Sequence, residues 1–432
     1  MSGVTRPPTI IAPKFVTTLT NNRHSTRSVA MTKARALDSL DIEGVDFAFD
    51  DIPDLHHMLS RLRSAKPYAI VPFGGINGVL LLTEQLVAAA FRDENTFPAK
   101  AIYPRSTGAV LGHTLQCMTG REHRINKALV SPPFRRLVAA ALCEPMIKPI
   151  VHELIDAFAD RGSADLVAEF ANPLPVRVIS ALLGVPKGDA AEMARWAHDL
   201  FNYPHDPDGA LQASREFTEY ITPVLAERRA ESGDDLISRL VGQEVEGEQL
   251  SDEQILAFLR LLFPAGADTT HLILGSLLSA LLTHPDQLEQ VRTNPNEEIE
   301  WAIQEGLRWE APVALLPRFC PDAVTWQGIE IPANTPMVFA ITAANRDPVK
   351  YPEPDRFDIT RRVKPTTAFG GGPHSCLGNW LAMTELHAAL EVLLERLPDV
   401  HLQADTETDA QVTSQIGTAL RGPNALHVEW NA

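Results

Sequence analysis

The residues best equipped for chemistry in this chain lie between Phe369 and Gly378, in the run Phe-Gly-Gly-Gly-Pro-His-Ser-Cys-Leu-Gly. Cys376 closes a glycine-rich loop and directly precedes a long apolar-periodic segment, Leu377 to Leu397. A helix starting at Leu377 aims its unpaired backbone N–H groups and the positive end of its dipole at the sulfur. Such surroundings favour thiolate over thiol, and the thiolate is the metal-binding form. Gly370, Gly371 and Gly372 allow a tight turn and a close approach of backbone to a flat ligand. Gly378, without a Cβ, lets the first helical turn lie against the same ligand. A structural cysteine beside a glycine turn is the plainer alternative, and the full spacing of the loop argues against it.

A second group interrupts an apolar stretch. Ser251-Asp252-Glu253-Gln254 has the form of a capping box with acids in the first turn. It opens a helical run to His284, which Pro285 stops. Thirty-odd residues at ~1.5 Å each reach ~50 Å, enough to cross a domain. The run is apolar nearly all round, the pattern of a helix buried through a large core. Arg260 and Asp268 argue against a membrane span. In its middle stands Pro264-Ala265-Gly266-Ala267-Asp268-Thr269-Thr270. Gly266 costs about 1 kcal/mol there relative to alanine, Pro264 removes a backbone hydrogen bond, and a buried aspartate is costly unless paired. Local rules broken together inside a core helix mark function.

The loop spacing, with Phe369, Gly372, Cys376 and Gly378 all matching, resembles the haem-binding loop of the cytochrome P450 superfamily. The resemblance implies that Cys376 is the axial thiolate of haem b, iron protoporphyrin IX, with Ala265, Phe369, Gly370 and Gly378 against the cofactor. The broken helix resembles the family's oxygen-activation motif. On that resemblance Gly266 leaves room for dioxygen, Thr269 hydrogen-bonds it and Asp268 supplies protons through water. Thr270 keeps the ordinary helix-threonine role of bonding back to a carbonyl. Gly120-Arg121-Glu122-His123-Arg124-Ile125-Asn126-Lys127 resembles the start of the family's C helix, where a histidine and a basic residue one turn later meet the haem propionates. Lys127 stands where arginine is usual, keeping the charge without the bidentate fork. Arg318, after Pro317, and His374 complete the implied propionate partners. Glu305-Gly306-Leu307-Arg308 and Tyr351-Pro352-Glu353-Pro354-Asp355-Arg356-Phe357 resemble two further boxes, the second with Asp355 where glutamate is usual. They imply a buried structural triad of Glu305, Arg308 and Arg356, which loses ~3–5 kcal/mol when one partner is removed.

The implied fold is mainly α with small β-sheets: the triangular-prism P450 architecture, with haem between a long central helix and the cysteine-loop helix. Residues 1–45 read as a flexible extension and 46–432 as one catalytic domain. The patterns predict a helix over Asp54–Ser64 and strands at Tyr68–Phe73 and Val79–Leu82 about a Gly74–Gly78 turn. Thr83 caps a helix through Phe91. Helices broken by prolines fill residues 145–245, and the resemblance makes Met193–Ala230 the pair that covers the substrate pocket, where Trp196, Leu200, Phe201 and Tyr203 could face substrate. Strand-like pieces follow at Leu315–Cys320, Val324–Ile331 and Met337–Thr342, with a terminal hairpin of Ile416–Leu420 and Leu426–Trp430. Leu111, Leu262, Phe263, Ala265, Val313, Ala314, Leu315 and Ile416 are the expected pocket lining. All are apolar, so the expected substrate is an apolar small molecule.

Composition narrows the partners. With 38 Lys and Arg against 55 Asp and Glu, the net charge of −17 argues against nucleic acid and anionic membranes. Cys117, Cys143, Cys320 and Cys376 form neither a disulfide framework nor a zinc pattern, which indicates a reducing compartment. The acid-poor, basic start fits a transit peptide less well than an extension, because Pro7, Pro8 and Pro13 interrupt it. No apolar run near the start is long enough for an anchor, and the expectation is a cytoplasmic monomer. The resemblance implies a monooxygenase using O2. Without a flavin or iron–sulfur segment, it takes electrons from a separate ferredoxin-type donor, docked on a basic patch around Arg361, Arg362 and Lys364. A peroxide-driven peroxygenase and a non-catalytic haem sensor are the alternatives; the acid–threonine pair Asp268-Thr269 speaks against both.

Overall fold

The computed structural model describes residues 45–52, 54–185, 190–362, 366–403, 415–417 and 419–431. The expected extension therefore lies, except for Val45, outside the described residues. Helix α1 (Leu55–Ala65) buries Leu55, Leu59 and Leu62 on one face, the stripe its period requires. Strands β1 (Tyr68–Phe73) and β2 (Ile76–Leu81) form a hairpin closed by Gly74 and Gly75, with φ of 63° and 80°. A two-residue turn needs left-handed dihedrals at both central positions, which glycine adopts without strain. The turn is thus shorter than the five residues expected. Thr83 Oγ1 accepts the Leu86 N–H at 3.4 Å and caps α2 (Glu84–Arg92).

A helical body follows: α3 (Gly120–Val130), α4 (Pro173–Leu183), α5 (Ala190–Phe201), α6 (Pro207–Ala230), α7 (Asp252–Leu282) and α8 (Pro295–Trp309). Pro173 and Pro207 sit in first turns, where the missing N–H is harmless, while Pro175 lies inside α4 without ending it and Pro186 lies outside the described residues. Short strand β3 (Ser163–Asp165) lies before α4. The chain then returns to the sheet with β4 (Leu315–Cys320), a small hairpin of β5 (Val324–Trp326) and β6 (Ile329–Ile331), and β7 (Thr335–Ala340). The predicted single strand Val324–Ile331 is split because Gln327 and Gly328, at φ 49° and 76°, reverse the chain. Strand β7 also ends earlier than predicted, with Ile341–Asn345 turning helical. The main sheet runs β1-β2-β7-β4, parallel only between β2 and β7. That parallel pair needs a crossover, and the whole helical body supplies it.

Helix α7 is the axis of that body. Its capping box forms in full, with Ser251 Oγ accepting from Gln254 N and Gln254 Oε1 from Ser251 N. Its 31 residues extend about 46 Å at 1.5 Å per residue. Among the described residues it alone is long and apolar enough to cross a bilayer. It packs against α4, α5, α8 and α9 (Asn379–Arg396), with most of its side chains inside the largest core cluster. The predicted terminal hairpin does not form. β9 (Gln415–Ile416) pairs with β10 (Gly422–Pro423), while β11 (His427–Glu429) inserts between β3 and β8 (His401–Leu402). Leu426 and Val428 are fully buried there, which a free hairpin could not provide.

Candidate active site

A cavity of about 290 Å³ opens between α7 and the loop that precedes α9. Cys376 lies on its floor and is accessible from it. The loop closes on itself through the Cys376 N–H to the Phe369 carbonyl at 2.9 Å. Gly370 and Gly372 have φ of 67° and 65°, so neither position tolerates a side chain cheaply. The close approach at Gly372 is to α2, because a Cβ there would collide with the Phe91 carbonyl. A Cβ on Gly378 would meet nothing within 4 Å. Burial pushes the Cys376 thiol up, while the Gly378 and Asn379 N–H groups and the Lys127 charge pull it back. The Gly378 and Asn379 N–H groups act on the sulfur in the direction expected of the helix start, and a coordinated metal ion deprotonates its thiol directly.

The opposite wall is the Ala265–Thr270 turn of α7, which stays helical throughout. Ala265, Gly266, Thr269 and Thr270 line the cavity, and the nearest atom to a Cβ on Gly266 would be Ile179 Cδ1 at 3.9 Å. The hydroxyl that bonds back to the helix is that of Thr269, to the Ala265 carbonyl at 2.7 Å, and not that of Thr270 as expected. Having donated its hydrogen there, the hydroxyl oxygen can still accept. Asp268 points off the lining, is 8% exposed, and has no hydrogen bond among the described residues. Burial raises its carboxyl to about 7, so at neutral pH it can both give and take a proton.

At one end of the cavity stand four nitrogen-bearing side chains: His123, Lys127, Arg318 and His374. The His123 and His374 rings lie 4.1 Å apart. Burial first, then His374 and Lys127, lower His123 to about 4. Arg318 donates to Tyr103 Oη at 2.8 Å and lies over its ring. His374 Nε2 is 3.1 Å from Glu94 Oε2 without hydrogen-bond geometry, so this buried nitrogen lacks a hydrogen-bond partner. Lys127 departs from the others, since its ammonium bonds the Pro373 and Ser375 carbonyls.

Comparison with known proteins decides the family. The family description "Cytochrome P450" matches residues 177–426. Cytochrome P450 107B1 of Saccharopolyspora erythraea is 33% identical over 377 residues, covering 83% of this chain and 92% of the relative. The same organism's 6-deoxyerythronolide B hydroxylase is 33% identical over 395 residues, covering 87% and 96%. Among solved structures, the Bacillus subtilis bacillaene polyketide synthase cytochrome P450 PksS has a TM-score of 0.81 at 31% identity, covering 88% of this chain and 97% of that one. The chain belongs to the cytochrome P450 family. It is a monooxygenase with a haem iron, and the fold is that of the family.

The cavity fits the cofactor on its own chemistry. Two largely apolar walls flank a slot with a thiol on one side and a bare glycine on each, and an orphaned buried imidazole nitrogen stands at the end where carboxylates need partners. This P450 differs from expectation elsewhere. Arg308 forms a two-bond pair with Glu305, both at 2.7 Å, with both side chains buried. Arg356 does not join them: its side chain is 61% exposed and, among the described residues, reaches only Glu353 and Asp358, at 3.6 and 3.7 Å. The third position is taken by Arg361, whose Nε lies 3.5 Å from Glu305 Oε1. The chain turns after Phe357, carrying Arg361 inward while Arg356 gives only its carbonyl to Arg308, at 3.0 Å.

Of the expected lining, Leu262, Ala265 and Val313 face the cavity. Ala314 and Leu315 are buried in the cluster behind the sheet, and Leu316, one residue on in the strand, faces the cavity instead. Phe263 turns to Phe217 of α6, ring centres 5.2 Å apart. Leu111 sits on a short turn packed against α6 and α7, and Ile416 is held in β9; neither lines the cavity. The aromatic and apolar residues of α5 and the turn after it are core as well: Trp196 packs on Phe217 and Tyr220, and it, Leu200, Phe201 and Tyr203 stay off the lining. The two described members of the expected basic patch are engaged elsewhere. Arg361 faces inward, Arg362 pairs with Glu298 at 2.5 Å, and Lys364 lies outside the described residues. Among the lining residues that carried no expectation are Tyr103, which holds Arg318, and Glu385 of α9. Glu385 is 4% exposed, its Oε2 has no hydrogen-bond partner, and burial raises its carboxyl well above the usual range.

Proposed function

We propose that this P450 inserts one atom of dioxygen into an apolar small molecule, using haem b held by Cys376 and electrons from a separate ferredoxin-type donor. One observation carries the reading: the Cys376 sulfur and the Gly266–Thr269 turn of α7 face each other across one cavity. When bound, the haem iron supplies the reduction of dioxygen, and the thiolate ligand makes that iron electron-rich enough for O–O cleavage. His123, His374 and Arg318 are placed to hold its carboxylates. Thr269 Oγ1 offers a hydroxyl beside the space left by Gly266. Asp268, poised near neutral, is the acid behind it that returns protons from solvent. Leu262, Val313 and Leu316 present apolar surface to the substrate and exclude water from it. The likeness to PksS, the cytochrome P450 of the bacillaene polyketide synthase, makes a polyketide product the first substrate class to try.

The donor's docking face is read from charge. Arg135 and Arg136 have no ion pair among the described residues, Arg136 lies over the exposed Trp380 ring at 5.2 Å, and Leu137 is 83% exposed. This face adjoins the start of α9, next to the cysteine, and suits an acidic ferredoxin. The working unit is the single body from Val45 on, a monomer in the cytoplasm. The test is turnover in 18O2 with NAD(P)H, a ferredoxin and its reductase. One labelled oxygen in the product, and loss of the thiolate reduced-CO band in Cys376→Ala, support the reading. Product with peroxide alone identifies a peroxygenase, and ligand binding with no product under either condition identifies a sensor. Unchanged reduction rates at low salt after Arg135→Glu and Arg136→Glu refute the docking face.

A further inference from the structure

We propose that Lys127 is a positioning residue for the cysteine loop, a strap on the sulfur side of the site, and not a partner of the cofactor's carboxylates. The inference rests on the reading of Cys376 as the thiolate ligand. Its basis is where the three ammonium donors go. Lys127 Nζ lies 2.5 Å from the Pro373 carbonyl, 3.2 Å from the Ser375 carbonyl and 3.5 Å from Ser375 Oγ. An ammonium has three N–H bonds, so the contacts to residues 373–375 account for all of them. All three acceptors belong to the segment directly before Cys376.

The neighbouring groups divide the work. His123, one turn earlier on α3, faces His374. His374 Nε2 has no hydrogen-bond partner, and Arg318 uses only Nη1, on Tyr103 and Pro317, among the described residues. Donors for carboxylates are therefore available without Lys127. Lysine also suits the strap better than arginine does. A compact ammonium can converge on acceptors lying in different directions, whereas a guanidinium presents its donors in one plane. Held this way, the Lys127 charge acts on the Cys376 sulfur from the loop side.

The experiment compares haem-loaded wild type, Lys127→Met and Lys127→Arg by amide hydrogen exchange over residues 370–376, by ferric/ferrous midpoint potential and by rate of haem loss. The last is measured with both iron protoporphyrin IX and its dimethyl ester. In Lys127→Met, exchange in the loop is expected to rise about tenfold, as suits the loss of charged hydrogen bonds. The midpoint potential is expected to move negative, because a positive charge beside the sulfur is gone. Lys127→Arg, which keeps the charge, is expected to hold the potential near wild type while its loop still exchanges faster. Haem loss is expected to change equally for the two porphyrins. Faster loss of the free-acid haem only, with loop exchange unmoved, overturns the strap and returns Lys127 to the carboxylates. Absence of a thiolate reduced-CO band in the wild type would overturn the reading of Cys376 and the strap with it. That band present in the wild type, with Lys127→Met unchanged in exchange and potential, overturns the strap alone.

Discussion

Replacing Arg361 by methionine should destabilise the protein far more than replacing Arg356. The Arg361 side chain is 10% exposed. Its guanidinium donates to the Pro352, Glu353 and Arg356 carbonyls and lies 3.5 Å from Glu305 Oε1. Hydrogen bonds to charged groups contribute ~1.5–3 kcal/mol each, less where water can replace the donor, as at this partly open edge. Glu305 also keeps its two Arg308 bonds and the Asp358 N–H at 2.8 Å. The loss for Arg361→Met is therefore put at about 3 kcal/mol, the low end for breaking a buried charge network. Arg356, exposed and paired only at 3.6 Å or more, should lose less than ~0.5 kcal/mol. Urea unfolding of the two haem-loaded variants, read by far-ultraviolet circular dichroism, measures the difference. The reduced-CO spectrum reports whether the thiolate-ligated fraction falls with it, since this network holds the segment leading to the cysteine loop. Equal losses, or a larger loss for Arg356, would refute the reassignment.

Three further outcomes are expected. Thr269→Ala should keep haem and substrate binding but release much of the consumed reducing equivalents as hydrogen peroxide; full coupling of NAD(P)H to product rules out the proton role. Asp268 keeps its proton to about pH 7 when folded and, from an ordinary 3.8, loses it earlier when unfolded, so the unfolded chain releases protons first and stability falls as pH rises between these values. At about 1.4 kcal/mol per pH unit the loss by pH 7 is about 4 kcal/mol, and Asp268→Asn should gain on wild type in denaturant melts from pH 5 to pH 8; a constant gap sinks the assignment. Glu385, raised by burial in the same direction, should show the infrared carbonyl band of a protonated carboxylic acid at neutral pH, and the persistence of that band in Glu385→Gln would assign it elsewhere.

The sequence carries the site where backbone geometry forces residue type. The cysteine loop needs glycine at 370 and 372 for φ and at 372 for the close pass to Phe91, and those positions are readable one by one. The capping box and the first-turn prolines Pro173 and Pro207 act within one turn, so they too are legible, whereas Pro223 sits inside α6 without ending it. Legibility fails where a neighbour from far along the chain decides. Arg356, Arg361 and Arg362 lie within seven residues of one another, and only the turn after Phe357 settles which meets Glu305. Thr269 and Thr270 are adjacent hydroxyls about 100° apart on the helix, so the register of α7 against the cavity decides which bonds back to Ala265. Leu315 and Leu316 point to opposite faces of β4, and composition cannot say which face is the cavity. Glu385 did leave a signal: it stands four residues after Leu381 and four before Ala389, an acid on an apolar stripe.

The instructive failure concerns His123 and Lys127. Four residues apart on α3, they do share a face, and both border the cavity. From that it is a short step to a shared ligand, and the step does not hold. One turn of helix is a rise of about 5.4 Å, enough to set two side chains on the same face against different neighbours. His123, with a short rigid ring, stays opposite His374; Lys127, with a four-carbon stem, reaches Pro373 and Ser375. A motif fixes which face a residue presents, whereas the length of the side chain and the acceptors within its reach fix what it binds. Where this P450 has lysine instead of the usual arginine, the altered reach brings with it an altered task.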